Sequence, residues 1–213
     1  MSSDHWPDLF GTEGFCAAIF DCDGTLVESS AAHLQAMQSA AQDQGADMRA
    51  DWYHTRAGLD RGALFREFAP TLQTPFNVDQ ACEASIVKFA DAVSMVKPNT
   101  SVLQFAMALK AQGIPLAVGT NAEGCVVRRC LAAVAAKDLF NHIVSISDAV
   151  RPKPSPDIFE LAAKRLGIGP SQVLVFEDSP QGVRAAKDAG MSVIELVEGA
   201  GNNQRCSPMS AAG

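Results

Sequence analysis

The sequence predicts an open α/β sheet covered by helices on both faces, with an all-helical insertion after its first strand. Two observations carry the sheet. Of five short β-type runs, most are continuously apolar where a half-exposed strand would alternate, which is the habit of parallel strands buried on both sides. Between them lie helical patterns with legible starts and stops, and strands alternating with helices build an α/β sheet. A third observation carries the insertion: between residues 29 and 97 apolar residues recur at helical spacing and no run has the strand pattern.

In chain order, FCAAIF (15–20) is the first strand. The insertion follows, with helical patterns in AAHLQAMQSAAQ, RGALFREF and DQACEASIVKFADAV. In PNTSVLQFAMALKAQG, Asn99 or Thr100 can cap a helix whose inner face is Val102, Ala106 and Leu109, and Gly113 can end it. The remaining strands are PLAVGT (115–120), HIVSI (142–146), VLVFE (173–177) and SVIEL (192–196). PSPDIFELAAKRLG and SPQGVRAAKDAG each read as a helix with a serine cap (Ser155, Ser179), a proline in the first helical position and a terminal glycine (Gly167, Gly190). The final EGAGNNQRCSPMSAAG lacks periodicity and is expected to add little to the core. Residues 1–28 and 98–213 are thus expected to form one discontinuous core domain, and 29–97 a helical domain.

Composition narrows the function classes. A chain of 213 residues, 47% hydrophobic and 19% charged, suits one sizeable globular core, and its apolar runs are too short to span a bilayer. With 24 acidic residues against 17 Lys and Arg, and no long basic cluster, no nucleic-acid partner is expected. A small anionic substrate needs only a local basic spot. MSSDHWPDLFGTEGF has neither a basic leader nor a continuous apolar run, and the six cysteines form no C-x-x-C pair, so a cytoplasmic protein with reduced thiols is expected. Cys22, between two aspartates, should face away from them, because alternate positions of an extended segment point to opposite sides.

Three strand ends carry polar residues of special type: Asp21, Asp23, Gly24 and Thr25 after the first, Thr120 and Asn121 after the second, Glu177, Asp178 and Ser179 after the fourth. A parallel sheet gathers these ends on one edge, where ligands of open α/β sheets bind. Clustered carboxylates repel unless something positive lies between them. Asp21 and Asp178, with Glu177 as a further candidate, supply hard oxygens suited to Mg²⁺, which takes one or two carboxylates, waters and a substrate phosphate. Lys153, in RPKPSPD, and the Thr120 hydroxyl offer a charge and a donor to an anionic group beside the metal, which Gly24 lets the backbone approach closely.

Together, DCDGT, the strand-end threonine, KPSPD and EDS resemble the four motifs of the haloacid dehalogenase superfamily, in its phosphatase and phosphomutase branch, over roughly residues 15–197. The resemblance implies a Rossmann-like core with a helical cap inserted after the first motif, at about residues 29–97. It implies Asp21 as the nucleophile that forms an aspartyl-phosphate and Asp23 as the acid and base. Mg²⁺ would be held by the Asp21 carboxylate, the Asp23 carbonyl and Asp178, and Thr120 and Lys153 would grip the phosphoryl group. Glu177 would bind the metal or act as a carboxylate behind it, capping a helix.

Members that remove halide differ at the position of Asp23, so phosphoryl chemistry is expected. Asn121 would touch substrate or cap the next helix, and Arg151 is expected to be exposed. In the cap, His33 and Arg61, the latter three residues after Gly58, are similar to positions of beta-phosphoglucomutase that could clamp a distal phosphate; otherwise they are solvated helix residues. Asp60 stands where that pattern has serine, and Lys88 is a loose candidate for its lysine. The expected protein is a Mg²⁺-dependent phosphatase acting on a small phosphorylated metabolite such as a sugar phosphate, with a phosphomutase, or a catalytically silent binding module, as the alternatives.

Overall fold

The computed structural model describes residues 9–11, 13–56, 59–149, 151–196 and the backbone strand 205–207. Strands β1 (Ala17–Phe20), β4 (Leu116–Gly119), β5 (His142–Val144), β6 (Val173–Glu177) and β7 (Ser192–Glu195) form a parallel sheet in the order β5-β4-β1-β6-β7. In β1, Ile19 sits opposite Ala117 of β4 and Val175 of β6. Alternation then sorts the side chains: Ala18, Phe20, Leu116, Val118, Leu174 and Phe176 enter one apolar cluster, while Ala17, Ile19, Ala117, Val173 and Val175 enter the other. Both sides are therefore core, which is why these runs lack a polar face.

Helices α5 (Thr100–Ala111) and α6 (Gly124–Ala133) cover the first face, and α7 (Asp157–Leu166) and α8 (Pro180–Asp188) the second. The chain crosses from β5 past β4 and β1 to reach β6, so the order reverses beside β1. That reversal opens a crevice at the carboxyl ends of β1 and β6.

The caps follow the sequence with two corrections. Ser179 accepts from the Gly182 N–H, Pro180 opens α8, and Gly167 ends α7 at φ +72 as expected. Ser155, however, does not cap α7: its hydroxyl donates to Asp157, and Pro156 holds the cap position. Asn99 occupies the cap position of α5 but its carbonyl oxygen takes the Ser101 hydroxyl, leaving the helix amides uncapped by a side chain. A further departure lies in the supposed tail, where β8 (Arg205–Ser207) pairs antiparallel with β7. The rest of that segment lies outside the described residues.

Between β2 (Val27–Glu28) and β3 (Lys97–Pro98), the chain forms helices α1 (Ser30–Gln42), α2 (Ala50–His54), α3 (Arg61–Phe68) and α4 (Val78–Ala92). They enclose a separate apolar cluster that includes Met37, Met48, Tyr53, Phe65, Phe68 and Ala81. β2 and β3 pair antiparallel, so the chain leaves and re-enters the sheet layer at one place. No helix among the described residues is long and apolar enough to cross a membrane.

Candidate active site

Each strand end extends its ladder by one residue before turning. The Asp21 N–H donates to the Phe176 carbonyl at 2.9 Å and the Thr120 N–H to the Val144 carbonyl at 3.0 Å. These bonds fix two backbones at the sheet edge and aim their side chains into a cavity of about 580 Å³, which Asp23, Gly24, Asn121, Lys153, Glu177 and Asp178 also line. The four sequence segments that carry the motifs thus meet in one place.

The floor is a lysine among acids. Lys153 Nζ lies 2.6 Å from Asp21 Oδ1 and 2.7 Å from Glu177 Oε1, over the face of Phe159 at 4.6 Å from the ring centre, with 2% of its side chain exposed. Burial alone would lower its pKa, but Asp21 and Glu177 outweigh that and raise it, so the ammonium stays charged. Asp21 goes the other way: burial, with repulsion from Glu177, Asp178 and Asp23, outweighs Lys153 and pushes its carboxyl well above the ordinary range. Burial and Glu177 push Asp178 up to about 7, against the hydrogen bond that the Thr25 hydroxyl donates at 3.0 Å.

This excess of negative charge is the test of a metal site. One oxygen from each of Asp21, Glu177 and Asp178 can be chosen so that all lie within 4.8 Å, and hard carboxylate oxygens with a charge deficit suit a divalent cation. The three are not equivalent. Glu177 Oε2 accepts from the Ser179 N–H at 2.7 Å and its hydroxyl at 3.0 Å, while Oε1 meets Lys153, so both oxygens have protein partners. Asp21 and Asp178 therefore keep more unused lone pairs for an ion. Two glycines make room for these acids: a Cβ on Gly182 would lie 1.6 Å from Glu177 Oε1, and one on Gly24, at φ +86, would lie 2.1 Å from Asp178 Oδ2. Gly24 lines the cavity, but its N–H donates to the Val27 carbonyl, so its bareness here serves Asp178 before any approaching ligand.

Thr120 Oγ1 accepts from the Ala122 N–H at 3.1 Å and keeps its own proton for another acceptor. Asn121 lines the cavity and does not cap the next helix. Its Oδ1 accepts from the Lys153 N–H at 2.8 Å and its amide donates to the Lys153 carbonyl at 3.3 Å, which pins the lysine loop, while Glu123 holds the cap position of α6. Arg151 is exposed and pairs with Asp157. Cys22 is buried in the apolar cluster, facing away from the cavity as expected, and the five described cysteines are free thiols.

Asp23 is held from the helical insertion. Its Oδ1 takes the Ser29 hydroxyl and lies 3.1 Å from His33 Nε2; burial would raise its pKa, but His33, Ser29 and Arg61 outweigh it and lower it. His33, far from being a surface residue, packs against Phe89 with ring centres 4.6 Å apart and the planes tilted by 40°. Its Nδ1 lies 3.5 Å from Arg61 Nη2, and Arg61 is buried too: Nε donates to Glu123 Oε1 at 3.0 Å and Nη1 to the Ser85 hydroxyl at 2.9 Å. A polar chain thus runs Asp23–His33–Arg61–Glu123. Lys88 is absent from the cavity, because its ammonium pairs with Asp43 at 3.0 Å at the far end of α1. Asp60 caps α3 through the Ala63 N–H, and Gly58 lies outside the described residues.

Sequence reasoning placed Thr25 at the strand end without a role, and missed Ser29, Ser85 and Glu123. Serines and a threonine near strand and helix ends have many ordinary uses, and nothing in NAEGC marks Glu123 as the partner of an arginine 62 positions earlier.

Comparisons with known proteins bear on the family and the fold. Residues 18–196 match the family model described as haloacid dehalogenase-like hydrolase. Protein CbbY of Rhodobacter capsulatus is 30% identical over 193 residues, covering 84% of this chain and 83% of its own. Fructose-1-phosphate phosphatase YqaB of Escherichia coli is 28% identical over 188 residues, covering 86% and 97% respectively. The crystal structure of CbbY from Rhodobacter sphaeroides in complex with phosphate superposes with a TM-score of 0.78 at 25% identity, over 86% of each chain. On this match of fold, motif-bearing segments and family model, the chain belongs to the haloacid dehalogenase-like hydrolases.

Proposed function

We propose that the protein is a Mg²⁺-dependent phosphatase that hydrolyses a small phosphorylated metabolite, of the sugar-phosphate class, through an aspartyl-phosphate. The observation that carries this reading is the shared cavity of Asp21, Lys153, Thr120 and Asp178, with Asp23 entering it beside Asp21. The names of its relatives support it, several being phosphatases of phosphorylated carbohydrates or related compounds.

Asp21 attacks phosphorus, so that an Asp21–phosphorus bond forms as the bond to the leaving oxygen breaks. Asp23 gives that oxygen a proton and then takes one from the water that opens the acyl phosphate. Its lowered pKa suits the second role; for the first, an arriving phosphate dianion raises it, since like charges disfavour ionisation. Lys153 and the Thr120 hydroxyl stabilise the charge of the transferring group. Asp21, Asp178 and the Asp23 carbonyl, with Glu177 beside them, would hold magnesium, which would supply electrostatic stabilisation of the phosphoryl oxygens.

Purified protein screened on phosphorylated metabolites should release phosphate only with a divalent cation. Asp23→Asn should slow that release by about 10²- to 10⁴-fold while sparing metal binding, which uses its carbonyl. Unchanged turnover would remove Asp23 from the mechanism. Conversion of beta-glucose 1-phosphate to glucose 6-phosphate without free phosphate, given a bisphosphate activator, would instead make the protein a mutase. No turnover on any phosphate ester would leave a binding module.

Residues 29–97 then act as a lid on the core of residues 1–28 and 98–213, moving about the adjacent β2 and β3 strands. Hydrogen exchange should slow at residues 27–30 and 95–99 when inorganic phosphate and Mg²⁺ are added; unaltered exchange there would count against a mobile lid.

A further inference from the structure

Arg61 faces the same cavity as Lys153, and a cation at the far end of a phosphate site would ordinarily suggest a place for a second phosphate. Its surroundings argue otherwise. All three guanidinium nitrogens are engaged: Nε with Glu123, Nη1 with Ser85, and Nη2 beside His33 Nδ1. The charge is matched by Glu123, which lines the cavity itself and is four-fifths buried at the start of α6. A second phosphate reaching Arg61 would have to displace this carboxylate and then lie against it, a juxtaposition of like charges with little water to screen it. Glu123 has one more feature. Its Oε2 is buried and has no protein hydrogen-bond partner, whereas buried carboxylate oxygens are ordinarily satisfied. It calls for a donor, which a hydroxyl supplies and a phosphate dianion does not.

We infer that Glu123 sets specificity at this site: by neutralising Arg61 and presenting a spare acceptor, it selects monophosphate esters of hydroxyl-bearing compounds and rejects bisphosphates. The inference rests on the phosphatase reading for its substrate class, and its test is made on binding so that the two can fail separately. The probes are fructose 6-phosphate and fructose 1,6-bisphosphate, which differ by one phosphoryl group, titrated calorimetrically into Mg²⁺-loaded Asp21→Asn protein that cannot turn them over. With Glu123 present, the monophosphate should bind more tightly than the bisphosphate. Adding Glu123→Gln, which keeps the shape but removes the charge, should shift the ratio of affinities toward the bisphosphate by about tenfold or more. An unchanged ratio, equal affinity or a bisphosphate preference with Glu123 intact, or binding of neither sugar would overturn the inference. Should the double variant fail to fold, the preference measured with Glu123 intact decides alone. A wild-type protein that binds but releases no phosphate would sink the functional reading and leave this one standing.

Discussion

Asp21→Asn should abolish phosphate release, by roughly 10⁵- to 10⁶-fold, the scale on which removing a covalent nucleophile acts. The same substitution should leave the metal-free protein at least as stable as before. Asp21 is buried with Glu177 and Asp178 close by and Lys153 as the nearby cation, so its carboxyl is raised well above the ordinary range and Asp178 is raised to about 7. A carboxyl raised on folding binds more protons in the native than in the unfolded state between the two pKa values, about 4 unfolded. Its contribution is therefore complete below the unfolded value and is lost as pH rises through the folded one. In chelator, thermal unfolding of the wild type should accordingly fall between pH 5 and pH 8 by more than that of Asp21→Asn, and Mg²⁺ should restore much of the loss at pH 8. Retained turnover in Asp21→Asn would remove it from the chemistry; equal pH dependence in chelator would mean that its charge is not what strains the cluster.

That strain was partly legible before any coordinates. Asp21, Asp178 and Lys153 stand at strand or loop ends whose assignment needed only apolar runs, and parallel topology brings such ends together whatever their separation in the chain. The insertion was legible for the same reason, since helical spacing persists from residue 30 through 92 without a strand pattern. What escaped reading depends on side-chain direction. Asn121 follows a strand, a place where an amide can meet a ligand or a helix; that it clamps the Lys153 backbone is set by where the loop at 151–155 passes, which no local pattern encodes. Lys88 lies on α4 three residues after Ser85, which meets Arg61, yet its ammonium pairs with Asp43 just past the end of α1, a choice of partner that helical spacing does not encode. His33 and Arg61 could be read either as clamps of a distal phosphate or as solvated helix residues, since each is polar on an amphipathic helix; their burial depends on a partner, Asp23 for one and Glu123 for the other, contributed from outside the insertion. The edge strand β8 had no signal because a three-residue antiparallel addition needs neither periodicity nor apolar length.

Lys153→Met should produce the largest loss of stability of any single change at the site. Methionine keeps an apolar stem of similar length and removes the ammonium that lies over Phe159, so most of the packing stays and the charge goes. Asp21 and Glu177, with 9% and 1% of their side chains exposed, then lose the cation they share, and leaving a buried charge unpaired costs about 3–5 kcal/mol. Because the cost is that of ionising crowded carboxyls, it should be large at pH 8 and shrink toward pH 5, below the value of about 7 to which Asp178 is raised and in the direction in which burial shifts Asp21. Chemical denaturation at the two pH values measures this directly, and equal destabilisation at both would show that Lys153 acts through packing. Turnover should fall as well, by about 10²- to 10³-fold, as when one preorganised donor to a developing charge is removed. Magnesium should recover part of the lost stability and little of the lost rate. An ion at Asp21 and Asp178 offsets their repulsion, but it leaves untended the side of the phosphoryl group that faces the lysine, so stability and rate should separate in this variant as they do in Asp21→Asn.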